Sequence, residues 1–180
     1  DEVDNGRALI YNLDFPDVLE SRRTWVEPHE RERELPFSLT DHRWMDEVDA
    51  SGGLIAVASG VFYFLETSSV RDLVNAMSHR FPGGRLVYDS ESPEMVAMSE
   101  QAVRDRGIDA APMPFRVADP CVAHTWSPRV SQIRVNFDLS SYAADPSALP
   151  AQVLEGCAQM RQGRALYEVI ADFAVSGELC

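Results

Sequence analysis

Residues 52 to 89 read GGLIAVASGVFYFLETSSVRDLVNAMSHRFPGGRLVYD, a passage that sets out a strand, a helix and a second strand in succession. The run from Gly52 to Gly60 is apolar without polar alternation. That is the pattern of a strand covered by helices on both faces, and it predicts a place near the centre of a sheet. Val70, Leu73, Val74 and Met77 then recur at helical spacing, behind the hydroxyls of Thr67, Ser68 and Ser69 that suit a helix start. His79 and Arg80 fall where cations favour the helix dipole, and Pro82 with Gly83 ends the helix. GRLVYDS, residues 84 to 90, is a further buried strand. Strand, helix and strand in this order predict a parallel pair with a helical crossover.

The same alternation continues outward. Toward the N-terminus, residues 8 to 13 predict a strand and Pro16 to Val26 a helix, with Pro16 in its first turn. EPHERERE, residues 27 to 34, is a charge run expected as a solvated loop or helix face, and LPFSLTD, residues 35 to 41, as a short strand ending on Asp41. Toward the C-terminus, Ser92 and Pro93 open a helix that ends at Gly107. Residues 113 to 126 predict a strand and a short helix begun by Asp119, and Val130, Ile133, Val135, Phe137 and Leu139 a longer strand. From Pro150 onward, Val153, Cys157, Met160, Tyr167, Ile170 and Ala174 predict one or two helices packed on the sheet. The expected class is α/β, a single domain over residues 1–180 with a mostly parallel sheet and helices on both faces.

A net charge of -13 argues against a nucleic-acid or acidic-membrane surface and leaves small molecules or other proteins as partners. All 16 basic residues are arginine, which removes Schiff-base chemistry and a phosphate-loop lysine. Cys121, Cys157 and Cys180 are odd in number and far apart, so they read as reduced, mostly buried thiols rather than a disulfide framework or zinc cluster. His29 among its glutamates lacks metal-ligand spacing, and no metal is expected. With no long apolar run and no charged-then-apolar leader, the expected compartment is the cytoplasm. A chain opening on Asp1 reads as cut at its N-terminus.

In an open α/β sheet, ligands bind beyond the carboxyl ends of the strands. Three predicted strands end on Asp14, Asp41 and the Ser59-Gly60 pair, which would line one rim. Burying an unpaired carboxylate costs several kcal/mol, so Asp14 is either solvated or bound to something. A carboxylate at such a rim can accept two hydrogen bonds from a ribose diol, and Asp41 could accept from an exocyclic amine or a backbone amide. The competing role for both acids is helix capping, with Asp17 able to share it beside Asp14.

The order of these segments resembles the leucine carboxyl methyltransferase and polyketide O-methyltransferase family, within the class I S-adenosylmethionine-dependent methyltransferases. VDNGRALIYNLDFPDVLESRR looks like the family's second strand, SLTDHRWMDEV like its third, residues 55 to 89 like its central block, and PFRVADPCVAHTW like a later motif around a tryptophan. The resemblance implies a Rossmann-like sheet and S-adenosylmethionine as cofactor. Asp14 would hold the ribose hydroxyls, and Asp41, with Leu39 and Thr40 beside it, would face the adenine. Ser59, Gly60 and Tyr63 would border the sulfonium and the acceptor. The implied reaction is direct displacement of a methyl group onto a carboxylate or hydroxyl oxygen of a small, polyketide-like acceptor, which needs in-line placement more than a strong base. Tyr63 and His124 are the candidates to orient that acceptor, with a surface or helix-capping role as the alternative for His124; Trp126 reads as core or pocket wall, and Arg116 or Arg129 would pair with an anionic substrate or make surface ion pairs.

The chain departs from the family in two places. Ser59 stands where the family has Glu, and the glycine-rich loop after the first strand is absent, residues 1 to 5 lying just beyond it. The strands at residues 8–13 and 53–58 would then lack a shared partner, so the chain is expected to be an inactive fragment that does not hold the cofactor, completed by a removed segment or by another chain, or with the gap closed. The alternative is a non-catalytic α/β scaffold or interaction module. A nicotinamide dehydrogenase lacks its G-x-G-x-x-G, and VASGV lacks a flanking glycine of a hydrolase nucleophile elbow.

Overall fold

A parallel strand pair joined by a helix opens the chain. In the computed structural model, which describes residues 6–108 and 111–175, β1 (Ile10–Asp14) pairs with β2 (Glu32–Pro36) and α1 (Pro16–Arg23) crosses between them. These elements belong to the first of two units, Asp1–Gly52, the second being Gly53–Cys180. The opening residues 1 to 5 and Cys180 lie outside the described residues. Pro16 at the start of α1, Asp17 in its first turn and Arg22 and Arg23 in its last match the helix dipole at both ends. Leu19 is its buried residue.

The charge run does not form a solvated loop or helix face throughout, because its second half is strand β2. Period-2 alternation puts Glu32 and Glu34 on one face, where Arg22 meets Glu32 at 3.2 Å and Arg23 pairs with Glu34. Leu35, on the other face, is buried. The strand expected over residues 35–41 therefore ends at Pro36, and Asp41 instead begins a short 3-10 helix, His42–Asp46.

In the second unit four strands are ordered β3 (Ile55–Ala58), β4 (Arg85–Glu91), β6 (Leu166–Phe173) and β5 (Val130–Asn136). β3 and β4 are parallel, and β6 runs antiparallel between β4 and β5. The crossover helix α2 (Thr67–Arg80) buries Val70, Leu73, Val74 and Met77. Each such side chain is worth about 1.5–3 kcal/mol when fully buried. The turn after it needs both glycines. Gly83 sits at φ +76°, and a Cβ on Gly84 would stand 2.9 Å from the Phe81 carbonyl oxygen. α3 (Pro93–Arg104) starts as the sequence predicts, with the Ser92 hydroxyl accepting from Met95 N–H at 3.2 Å.

Alternation divides the faces of this sheet. Leu86, Tyr88 and Ser90 of β4 and Tyr167, Val169, Ala171 and Phe173 of β6 are buried, and the residues between them are half-buried. β3 departs from its predicted central place. Among the described residues it is an edge strand of this sheet, with Ile55 and Val57 exposed at 69% and 71%. A continuous apolar run records the character of both faces of a strand but not whether a neighbour pairs on each side.

The last third differs from its expected pattern in three places. Residues 113–117 form no strand, although Met113, Phe115 and Val117 are buried, and a short 3-10 helix follows at Val122–Thr125. After Pro150 one helix forms, α4 (Ala151–Gly163), closed by Arg164 in the left-handed region at φ 49°. Tyr167 and Ile170 lie on strand β6, because LYEVIADF alternates with period 2 rather than 3.6. The thiols are also less covered than expected, Cys121 being exposed and Cys157 half-buried. An apolar cavity of about 220 Å³ lies between α4 and Phe137, Leu139 and Leu166.

Candidate functional site

In the first unit, Asp14 is the last residue of β1 and is exposed. Its Oδ1 accepts from Phe15 N–H at 2.8 Å. Helix α1 has no side-chain cap, so neither Asp14 nor Asp17 serves in that role. Asp41 does cap, accepting from Arg43 N–H at 3.3 Å. Arg43 also grips both its oxygens, with Nε at 2.9 and 3.1 Å and Nη2 at 2.5 Å. The Arg43 guanidinium holds the Asp41 carboxyl below the usual carboxylate range. Accepting from a ligand would require Arg43, whose side chain is exposed, to swing away. The Leu39 carbonyl accepts from Trp44 Nε1 at 3.2 Å, and the Thr40 hydroxyl lies 2.9 Å from that of Ser38.

In the second unit, Ser59 and Gly60 follow β3 directly and are exposed. Gly60 adopts φ +68°, which turns its N–H toward β4 and donates it to Asp89 Oδ1 at 2.7 Å. The Tyr63 hydroxyl donates to the other oxygen, Asp89 Oδ2, at 3.0 Å. One carboxylate therefore joins two of the residues that the sequence places near the acceptor. The short helix carrying Tyr63, Phe62–Phe64, is fixed by Phe62, whose ring lies 5.0 Å from Tyr88 and 5.9 Å from Phe115. Burial, together with the charges of Asp89 and Glu91, pushes the Tyr63 hydroxyl well above its ordinary value, so it stays protonated at physiological pH. Glu91 lies two residues farther along the same strand face and accepts from Ser99 Oγ at 3.0 Å. Burial raises its carboxyl.

Asp89 is the site residue that the sequence reading misses. The signal was available, since β3 and β4 are parallel and Ala58 pairs with Tyr88, which brings Asp89 abreast of Ser59 at the same rim. An acid closing an apolar strand is the feature that marks Asp14, and RLVYD shows it equally.

The remaining candidates are not brought to this pair by any hydrogen bond among the described residues. His124 is exposed, its Nδ1 lying 3.2 Å from the Cys121 carbonyl oxygen, and Trp126 is half-buried. Arg116 is engaged with Glu100 and with the Met113 carbonyl, so it is a structural ion-pair partner. Arg129 contributes its backbone, its carbonyl accepting from Ala174 N–H at 2.7 Å.

No family model and no curated protein matches the chain. Solved structures do. A methyltransferase from Thermobifida fusca YX matches with a TM-score of 0.63 at 14% identity, over 95% of this chain and 65% of that one. Human N-acetylserotonin methyltransferase, solved with S-adenosylmethionine, matches at 0.55 and 11%, over 92% and 41%. Geranyl diphosphate C-methyltransferase from Streptomyces coelicolor A3(2), solved with S-adenosyl-L-homocysteine, matches at 0.51 and 12%, over 93% and 63%. The fold is therefore the Rossmann-like α/β fold of class I methyltransferases. The chain spans 41% to 65% of the length of these structures.

Proposed function

We propose that the chain is the C-terminal two-thirds of an S-adenosylmethionine-dependent O-methyltransferase, of the leucine carboxyl and polyketide type, acting on a hydroxyl or carboxylate of a small acceptor in the cytoplasm. The observation that carries this reading is the joining of Gly60 and Tyr63, just beyond β3, by Asp89, two residues before the end of β4, on a fold shared with methyltransferases. The residues fit the cofactor in part. Asp14, exposed and with one oxygen bonded, among the described residues, to Phe15 N–H, retains lone pairs for a ribose diol, whereas both oxygens of Asp41 are held by Arg43. Leu39 and Thr40 are assigned to the adenine end, and Ser59 and Gly60 to the methionine end. When bound, S-adenosylmethionine supplies an activated methyl group on a sulfonium. Tyr63, held by Asp89, orients the acceptor, with Trp126 and His124 assigned to the acceptor region.

Calorimetric titration of S-adenosylhomocysteine tests this, carried out on the 180-residue chain and on the same chain extended at its N-terminus. Binding by the extended chain, with little or none by the shorter one, supports the reading. Absence of binding by the extended chain overturns it. The open edge of β3, with Ile55 and Val57 exposed, favours a second reading: a non-catalytic interaction module of the same fold, as a homo-oligomer or on another chain. That reading stands if the extended chain binds no S-adenosylhomocysteine yet associates through this edge.

A further inference from the structure

The hydrogen-bond polarity around Tyr63 distinguishes between the two acceptor classes. Its phenolic hydrogen is committed to Asp89 Oδ2 at 3.0 Å, so what Tyr63 Oη offers a ligand is lone pairs. Asp89 cannot turn to release that hydrogen without also giving up Gly60 N–H, bound to its other oxygen at 2.7 Å. The surroundings have the same sign. Glu91 lies two residues along the same strand face, and the register of β4 and β6 sets Glu168 opposite Asp89. Glu91 is bonded to Ser99 Oγ and Glu168 to the Tyr142 hydroxyl, and none of the three acids forms an ion pair among the described residues. The neighbouring arginines on that face, Arg85 and Arg134, are both paired with Asp172.

We infer that Tyr63 and Asp89 form a corner that receives hydrogen-bond donors and rejects anions, so that the group placed there is a hydroxyl or an ammonium and not a carboxylate. This rests on the methyl-transfer reading for its meaning as substrate choice, but the binding preference can be measured separately. Asp89 acts here as a positioning residue, through the direction of one hydrogen bond.

Benzyl alcohol, benzylammonium and benzoate share a ring and differ in the group presented. Titrated into chain labelled with 13C in its tyrosine rings, with the Tyr63 signal assigned by Tyr63→Phe, the alcohol and the ammonium are expected to shift that signal saturably. Benzoate is expected to bind at least tenfold more weakly. In Asp89→Asn an amide N–H can donate to Tyr63 Oη and free the phenolic hydrogen, so the alcohol-to-benzoate preference is expected to fall at least tenfold or to invert. Tyr63→Phe uncovers Asp89 Oδ2, itself an acceptor among like charges, so ligand line broadening is expected to show the preference for the alcohol and the ammonium over benzoate retained, which keeps the test available if Asp89→Asn does not fold. Equal binding of benzoate, no shift with any probe, an unchanged preference in Asp89→Asn, or a preference for benzoate in Tyr63→Phe overturns the inference. If S-adenosylhomocysteine fails to bind the extended chain while the preference persists, the methyl-transfer reading alone falls. If the cofactor product binds and benzoate is preferred, this inference alone falls.

Discussion

Four acids of similar appearance in the sequence have different environments. Asp14 is exposed with one bond to its neighbour's N–H, Asp41 is held by Arg43, Asp89 joins Gly60 to Tyr63, and Glu91 is half-buried. If Asp14 holds a ribose, Asp14→Asn should weaken S-adenosylhomocysteine binding by about 1.5–3 kcal/mol, the range for hydrogen bonds to charged groups, roughly tenfold or more. Its unfolding midpoint should barely move, since surface substitutions away from packed features stay within about 0.5 kcal/mol. Calorimetry and thermal unfolding on the same samples separate the two effects. Glu91 carries a pH signature of definite sign. Burial raises its carboxyl in the folded chain, so the folded state takes up this proton more readily than the unfolded one. Its contribution is fully present below the ordinary glutamate value of about 4.3 and is lost as pH rises through the raised, folded-state value. Glu91→Gln should therefore raise the unfolding midpoint at pH 7 and give little gain at pH 4. A gain that grows on acidification would contradict this.

At the scale of elements, the best-predicted pieces are those whose signals are local. α2 lies where its apolar spacing places it, although its N-cap is Glu66 with no side-chain cap and the Thr67, Ser68 and Ser69 hydroxyls do not serve as one, and α3 lies where apolar spacing and the Ser92 cap place it, each to within a few residues. Leu73→Ala removes a side chain that is 1% exposed and should cost about 2–5 kcal/mol in urea unfolding. Ser92→Ala leaves Met95 N–H without its cap and should cost about 1 kcal/mol in the same measurement. The misread pieces are strands. β2 is hidden by its charges, because Glu32 and Glu34 face the arginines at the end of α1 while the strand itself is set by pairing with β1. β6 was hidden behind α4, where a mixed apolar list fitted a helical face until Arg164 broke the helix.

For the whole molecule, the chain has two units, and in the second the parallel edge strand β3 carries exposed aliphatic side chains and, among the described residues, pairs with a strand on one side only. Such an edge is a template for strand addition. Val57→Lys, at a position 71% exposed, should lower concentration-dependent association measured by light scattering while leaving the unfolding midpoint nearly unchanged. Association that is indifferent to this change would place the contact elsewhere. The sequence by itself determined the α/β class, the strand-helix-strand core from Ile55 to Asp89 and the place of Asp14 at the end of its strand, because periodicity, capping and chain-breaking residues act over a few neighbours. Only the tertiary structure decided that β3 is an edge, that β6 enters antiparallel between β4 and β5, and that Asp89 holds both Gly60 and Tyr63. Those contacts join residues 26 and 29 positions apart through strand pairing, and the choice of pairing partner is a property of the packed sheet that no local pattern records.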